Sequence, residues 1–172
     1  LQAERALLQA VLNNRLSAIW TDMPPLNAVA ISPDGRFAAG AGSDSLVYLW
    51  EIDSAAPTRI LTAPRTPGIN DNGLTAVAFA DAGRALVTAG QDGAVRLWDI
   101  ESGEMRWTGR HRSVVVDAAV SSNGEKIASV STDGTLRIWR LDGELILDIS
   151  DGRLRSARAV AFNPSGALVG VT

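Results

Sequence analysis

SSNGEKIASVSTDGTLRIWRL, residues 121–141, holds two short runs suited to β-structure with a tight-turn signal between them. Ser122-Asn123-Gly124 opens the stretch with residues that tolerate positive φ. Lys126 to Val130 reads as a strand, Asp133-Gly134 as a tight turn, and Thr135 to Trp139 alternates apolar and polar side chains as a strand does. Working outward, Val115 to Val120 supplies a strand before the quoted stretch, and Glu144 to Ile149 supplies one after the Asp142-Gly143 turn. Every connection is short enough for a hairpin, so the four strands form an antiparallel meander. A helical reading fails, because Gly and β-branched residues recur and no segment here keeps a 3.6-residue period for three turns.

The same pattern returns along the chain. SPDGRFAAGAGSDSLVYLWEI (32–52) and ADAGRALVTAGQDGAVRLWDI (80–100) superpose on it without gaps, and NPSGALVGVT (163–172) begins it once more. The first turn Gly falls at Gly35, Gly83, Gly124 and Gly166, with spacings of 48, 41 and 42 residues, and Trp recurs at Trp50, Trp98 and Trp139. A period of about 40–45 residues with four strands per unit is that of a propeller blade. The longer first spacing is absorbed by Ala63 to Gly73, rich in Pro, Gly, Asn and Asp and expected as a surface loop.

The start of the chain differs. Gln2 to Leu12 is built of helix formers, with Ala3, Leu7, Leu8, Val11 and Leu12 in one apolar stripe. Leu16 to Thr21 follows as a strand in the place that a fourth strand holds before each later repeat. The expected organisation is a helical linker over 1–14 from an upstream domain and a partial propeller over 15–172. Its blades lie at about 26–62, 74–108, 115–149 and from 158. The first residue is not Met, so the chain is expected to be a piece of a larger protein. Its outermost blades, lacking neighbours, are expected to leave apolar surface that favours association.

GQDGAVRLWD (90–99) and RHRSVVVDAAVSSNGEKIASVSTDGTLRIW (110–139) resemble WD-repeat units. The resemblance covers residues 15–172 and implies an all-β fold: a fragment of a WD-repeat β-propeller, about three full four-stranded blades plus part of a fourth, preceded by one short α-helix. It also implies a hydrogen-bonded tetrad within a blade: His before the first strand, Ser or Thr on the second, Asp in the next turn and Trp on the third. The third repeat matches with His111, Ser129, Asp133 and Trp139. The second offers Thr88, Asp92 and Trp98, with Asn70 at the His position. The first offers Asp44 and Trp50, with Asp22 at the His position and Ala39 at the hydroxyl position. Arg153 takes the His position of the fourth. The Leu/Ala/Arg-rich start is similar to the junction in large bacterial signalling proteins, where a nucleotide-switch ATPase or a caspase-like protease precedes C-terminal WD repeats.

Composition narrows the chemistry. Of 172 residues, 46% are apolar and 20% charged, the net charge is −3, and cysteine is absent, which excludes disulfides and thiolate metal sites. No apolar run reaches the ~20 residues of a membrane span, and a cytoplasmic location is expected, with neither nucleic acid nor membrane as partner. His111 is the only histidine; beside Asp117 or Asp133 it offers a general base, but its spacing suits the structural tetrad better. The Asp-Gly turns lack the spaced carboxylates of a calcium loop, and neither a zinc cluster nor a phosphate-cradling glycine loop is present. No metal, cofactor or catalytic residue is therefore expected.

A binding role is the leading expectation: rigid blades presenting variable loops to a protein or peptide partner across one face or the central channel. By resemblance the contacts fall on Ser43, Gln91 and Thr132 beside the turn Asp, and on Asn27, Thr75, Val116 and Arg158 at the start of each first strand. Arg110 and Arg112 precede one blade; Arg153, Arg155 and Arg158 precede the next. Together they are expected on one face, either as a patch for an anionic ligand or as solvated loop arginines. A propeller enzyme with channel-lining catalytic groups and a purely structural scaffold stand as the alternatives, and Trp20 and Trp107 are expected as rim packing.

Overall fold

The computed structural model describes residues 24–52, 54, 56–64, 73–167 and 169–172. The expected helix over 2–12, the strand over 16–21, and Trp20, Asp22 and Asn70 lie outside these residues. Among the described residues the chain is all β but for two short 3-10 segments, at Asp81–Gly83 and Gly152–Ser156. Strands β1 (Leu26–Ile31), β2 (Phe37–Gly42), β3 (Leu46–Glu51) and β4 (Arg59–Thr62) pair in that order as one antiparallel sheet. A second sheet is β5 (Leu74–Ala80), β6 (Ala85–Gly90), β7 (Ala94–Asp99) and β8 (Met105–Arg110). The third is β9 (Val115–Val120), β10 (Lys126–Ser131), β11 (Thr135–Arg140) and β12 (Leu145–Ser150), and β13 (Val160–Phe162) pairs with β14 (Val169–Val171) as a two-stranded hairpin.

Local chemistry shapes the first hairpin turn of each repeat. Ser32 Oγ donates to Asp34 Oδ1 (2.6 Å) and accepts from Phe37 N–H (2.9 Å). Ser121 Oγ does the same with Asn123 Oδ1 (2.7 Å) and Lys126 N–H (2.9 Å). In the second sheet Ala80 and Ala82 replace both partners. Deprived of these side-chain bonds, that turn coils into the 3-10 segment, with Asp81 and Ala82 at positive φ (51° and 52°). It also reaches sideways, where Asp81 N–H donates to Gly124 O (3.3 Å) in the next sheet.

The innermost strands β1, β5, β9 and β13 lie side by side, and three of the apolar clusters span neighbouring sheets, while a small one of Ala38, Tyr48 and Trp50 sits within the first. Ala39, Val47, Leu49 and Leu61 of the first sheet pack on Leu74, Leu86 and Trp98 of the second. Val87, Val95 and Leu97 meet Val115, Ile127 and Trp139 at the next boundary, and Val130 and Leu136 meet Val160 beyond it. Alternation along each strand therefore buries both faces of a blade against its neighbours, and the blades depend on one another for burial. Side chains tie the seams: Asn27 Nδ2 donates to Leu74 O (2.8 Å), and Thr75 Oγ1 to Val115 O (2.6 Å). At the third seam Val116 stands in the equivalent place and cannot donate. Asp117 Oδ2 instead accepts Val160 N–H (2.9 Å), and burial raises its carboxyl pKa above the ordinary range. Trp107 also bridges blades, its indole N–H donating to Leu141 O (2.8 Å). The outer strand β12 leaves Leu145, Ile146, Leu147 and Ile149 37–41% exposed.

Candidate functional site

The loops at one end of the blades are built on three equivalent aspartates. In each, the carboxylate captures the backbone two residues on: Leu46 N–H to Asp44 Oδ1 (3.1 Å), Ala94 N–H to Asp92 Oδ1 (3.1 Å) and Thr135 N–H to Asp133 Oδ1 (2.9 Å). The residue between must be left-handed. Gly93 and Gly134 adopt this readily (φ 77° and 86°), and Ser45 is held there at φ 72°. What differs among blades is the donor that satisfies the rest of each carboxylate.

In the third blade a chain of five side chains runs through the buried core of the sheet. Trp139 Nε1–H donates to Ser129 Oγ (2.9 Å), Ser129 Oγ lies 2.7 Å from His111 Nε2, His111 Nδ1 lies 2.7 Å from Thr135 Oγ1, and Thr135 Oγ1–H donates to Asp133 Oδ1 (2.6 Å). Each hydroxyl has one proton to give. Thr135 gives its own to Asp133, so it accepts from His111 Nδ1–H; His111 Nε2 is then the acceptor for the Ser129 hydroxyl. The neutral Nδ1–H tautomer satisfies every member. Asp133 does not touch the histidine, since Nδ1 lies 3.9 Å from its Oδ1. A threonine outside the four expected tetrad positions, Thr135, links His111 to Asp133. Burial pushes the His111 pKa down to about 4, aided by the charge of Arg137 and opposed by Asp133 and Asp148. Both ring nitrogens are engaged and the side chain is fully buried, so His111 is a structural residue rather than a general base. Asp133 is raised by burial, but hydrogen bonds from Thr135 and Arg112 N–H, with His111 nearby, outweigh this and hold it low.

The second blade keeps half of this chain: Trp98 Nε1–H donates to Thr88 Oγ1 (2.9 Å). Its Asp92 is met by Arg96, a buried ion pair in which both side chains are 2% exposed, and Arg96 also donates to Pro64 O (3.2 Å). In the first blade Tyr48 takes the position of Arg96. Its hydroxyl donates to Asp44 Oδ2 (2.6 Å), and burial together with Asp44 pushes its pKa up to about 12. The hydroxyl-bearing position of this blade is Gly40, not Ala39: strand pairing sets Gly40 opposite Tyr48 as Thr88 is opposite Arg96 and Ser129 opposite Arg137. A Cβ on Gly40 would meet the Trp50 ring at 3.1 Å and Leu26 at 2.9 Å, so the indole packs over bare backbone and stacks on Tyr48 (centroids 5.9 Å apart). Arg96 and Tyr48 were not among the expected site residues. Their signal is a donor four residues after the turn Asp and two before the Trp.

A family description, WD domain, G-beta repeat, matches residues 21–51, 59–99 and 105–140, more than half of the chain. The chain belongs to the WD-repeat family. Its blades are those of a protein-interaction scaffold, a fold whose members are generally non-catalytic. No curated protein matches this chain.

On these WD-repeat blades the residue before each turn Asp is clamped by its backbone to the loop that leads into the same blade. Ser43 N–H donates to Pro25 O (3.0 Å), Gln91 N–H to Gly73 O (2.9 Å) and Thr132 N–H to Val114 O (3.0 Å). Ser43 and Thr132 are exposed and Gln91 half-buried. Asn27 Nδ2 and Thr75 Oγ1 serve the seams described above, so these two expected contact residues also have a structural use. The five expected arginines do not converge as one group. Arg153 is 90% exposed and paired with Asp151 (2.6 Å), whose carboxyl it holds at about 2 by hydrogen bonding; it stands in no tetrad. The position after β12 that matches His111 after β8 is Asp151: its N–H donates to Gly134 O (2.9 Å) as that of His111 does to Gly93 O (2.8 Å). Arg110 reaches Asp92 O (3.5 Å), and Arg158 is exposed beside β13. Arg112 and Arg155 do share a cleft of about 430 Å³, where Arg137 joins them. Among the described residues no three His, Cys, Asp or Glu side chains gather for a metal, and no helix is long and apolar enough to cross a membrane.

The relay in the third blade has a direct test. Thr135→Val keeps the shape but strands His111 Nδ1–H and removes a donor from Asp133, and is expected to lower stability by roughly 1–3 kcal/mol. Thr135→Ser, which restores the hydroxyl, is expected to recover most of that loss. Urea midpoints measure both; a neutral Thr135→Val would show that His111 and Asp133 interact without the threonine.

His111 also sets a pH dependence. Its folded pKa of about 4 lies below the model-peptide value of 6.5, so the unfolded chain binds the proton more readily. The stability contributed by the neutral ring is complete above pH ~6.5, declines as pH falls towards ~4, and is lost below. At about 1.4 kcal/mol per pKa unit the decline is about 2–4 kcal/mol. Urea unfolding between pH 4 and 7 is expected to show this decline in the native chain and not in His111→Gln; parallel curves for the two would refute it.

Proposed function

We propose that this chain is the docking scaffold of a larger bacterial signalling protein, its partner-binding face formed by the Asp-bearing turns and the loops that enter each blade. The observation carrying this reading is the repeated clamp at Ser43, Gln91 and Thr132. Backbone bonds hold three equivalent positions in the same way, while the side chains differ from blade to blade. A rigid frame with changeable tips gives specificity without ordering the loops at the moment of binding. The side chains beside these tips are partly cationic, with Arg112 and Arg155 in one cleft, which favours an acidic protein surface or an anionic ligand and makes association sensitive to salt. The signalling context rests on the resemblance of the N-terminal stretch to junctions that follow a nucleotide-switch ATPase or a caspase-like protease. In that setting the scaffold works in the cytoplasm and passes partner binding to the upstream domain.

Photo-crosslinking in the source cells tests the docking face. A benzophenone side chain at Ser43 or Thr132 is expected to yield a discrete partner adduct. The same probe at Asp34 or Glu125, at the opposite ends of the same blades, is expected to yield none. Equal adducts from both ends would overturn the assignment of the face.

A further inference from the structure

We propose that the cleft between β11, β12 and the 3-10 segment Gly152–Ser156 receives a phosphate monoester carried on a protein segment. The cleft holds about 430 Å³ and draws arginines from three separate places: Arg112 from the loop before β9, Arg137 from β11 and Arg155 from the 3-10 segment. Its two carboxylates are already engaged. Asp148 pairs with Arg137 (3.1 Å). Asp133 accepts from Arg112 N–H (2.7 Å), Thr135 N–H and the Thr135 hydroxyl. The guanidinium groups of Arg112 and Arg155 have no carboxylate partner among the described residues, and Ser150 adds a hydroxyl to the same wall.

Two uncommitted guanidinium forks and a hydroxyl exceed what a carboxylate can use, with its two oxygens and single charge. A phosphate monoester offers three peripheral oxygens and a charge of about −1.5 to −2, and it accepts bidentate contacts from each fork. No aromatic ring lines the cleft, so a nucleotide would find nothing on which to stack its base. The larger groove at the other end of the first two blades, about 1000 Å³, makes the contrast. There arginines and carboxylates occur in equal number, and Arg84 and Arg106 pair with Asp81 and Asp99. Arg36 and Arg59 there are balanced by Glu51 and Glu101 in the same lining, whereas the first cleft has more arginines than carboxylates. Asp133, which lines the cleft, directly follows Thr132 in the chain, so the ligand belongs to whatever docks on that face; the inference deepens the docking reading above and rests on it.

The test titrates the full chain with a short peptide bearing phosphoserine, with its serine and glutamate counterparts, with inorganic phosphate and with adenosine monophosphate, followed by calorimetry at low salt. The phosphopeptide is expected to bind at least about tenfold more tightly than the glutamate peptide. R112S and R155S are each expected to weaken it by about tenfold or more, while R140S, at the other end of β11, leaves it unchanged. Equal affinity for the phospho- and glutamate peptides would overturn the proposal, as would an R112S/R155S protein of native circular dichroism that keeps full affinity. Inorganic phosphate or the nucleotide binding as tightly as the phosphopeptide would overturn the assignment to a protein-borne group. Phosphopeptide failure with Thr132 crosslinks retained sinks this inference alone; loss of both sinks the docking face as well.

Discussion

A carboxylate in the turn between the second and third strands of a blade must tie that turn and still find donors for its remaining lone pairs. The first task is met identically three times, by an N–H two residues on. The second is met three different ways: a threonine that relays to histidine, an arginine and a tyrosine. A partly buried charge left unmet costs more than any one of these bonds contributes. The repeat therefore tolerates the loss of its histidine only where the third strand supplies a substitute. Arg96 and Tyr48 sit at the same register position, two residues before the Trp, where the side chain reaches back one turn to the Asp.

The solution chosen in each blade propagates into packing. In the third blade Ser129 orients the Trp139 indole, which sits in the cluster joining that blade to its predecessor. Thr88 does the same for Trp98 at the preceding boundary. Gly40 gives up the hydroxyl, and the Trp50 ring gains a stacking partner in Tyr48 instead. Because Trp98 and Trp139 lie in clusters that span neighbouring blades, fixing either indole fixes an interface, and the seam bonds at Asn27, Thr75 and Asp117 lock the inner strands in step. The outcome is a frame that holds unlike side chains at like positions, which is the physical basis of the docking face proposed above.

Much of this was legible in the sequence. The constant offsets among turn Gly, turn Asp and Trp carry the four-stranded repeat, and the strands follow from alternation between turn signals. The site was legible only in part. Counting four residues back from each Asp reaches Ser129, Thr88 and Gly40, yet a one-residue slip to Ala39 is easy among small residues that all suit a buried strand. Arg153 is placed at a histidine position by counting back from the next blade, but unequal loop lengths make that count unreliable; bonding after β12 assigns the place to Asp151. The Thr135 relay depends on about an ångström of side-chain placement, which no pattern of residue types encodes. Arg137 looks like one more strand residue until the fold brings β11 beside the loops holding Arg112 and Arg155.

The coupling between Asp92 and Arg96 tests most directly the claim that each turn carboxylate depends on its own blade's donor. Asp92→Asn keeps the turn capture of Ala94 N–H while removing the charge, and Arg96→Met keeps the packing while removing the donor. In a double-mutant cycle followed by urea unfolding, Arg96→Met alone is expected to cost about 3–5 kcal/mol, because it leaves a buried carboxylate unpaired. In the Asp92→Asn background the same change is expected to cost at least ~2 kcal/mol less. Additive losses, with Arg96→Met equally damaging in both backgrounds, would contradict the account.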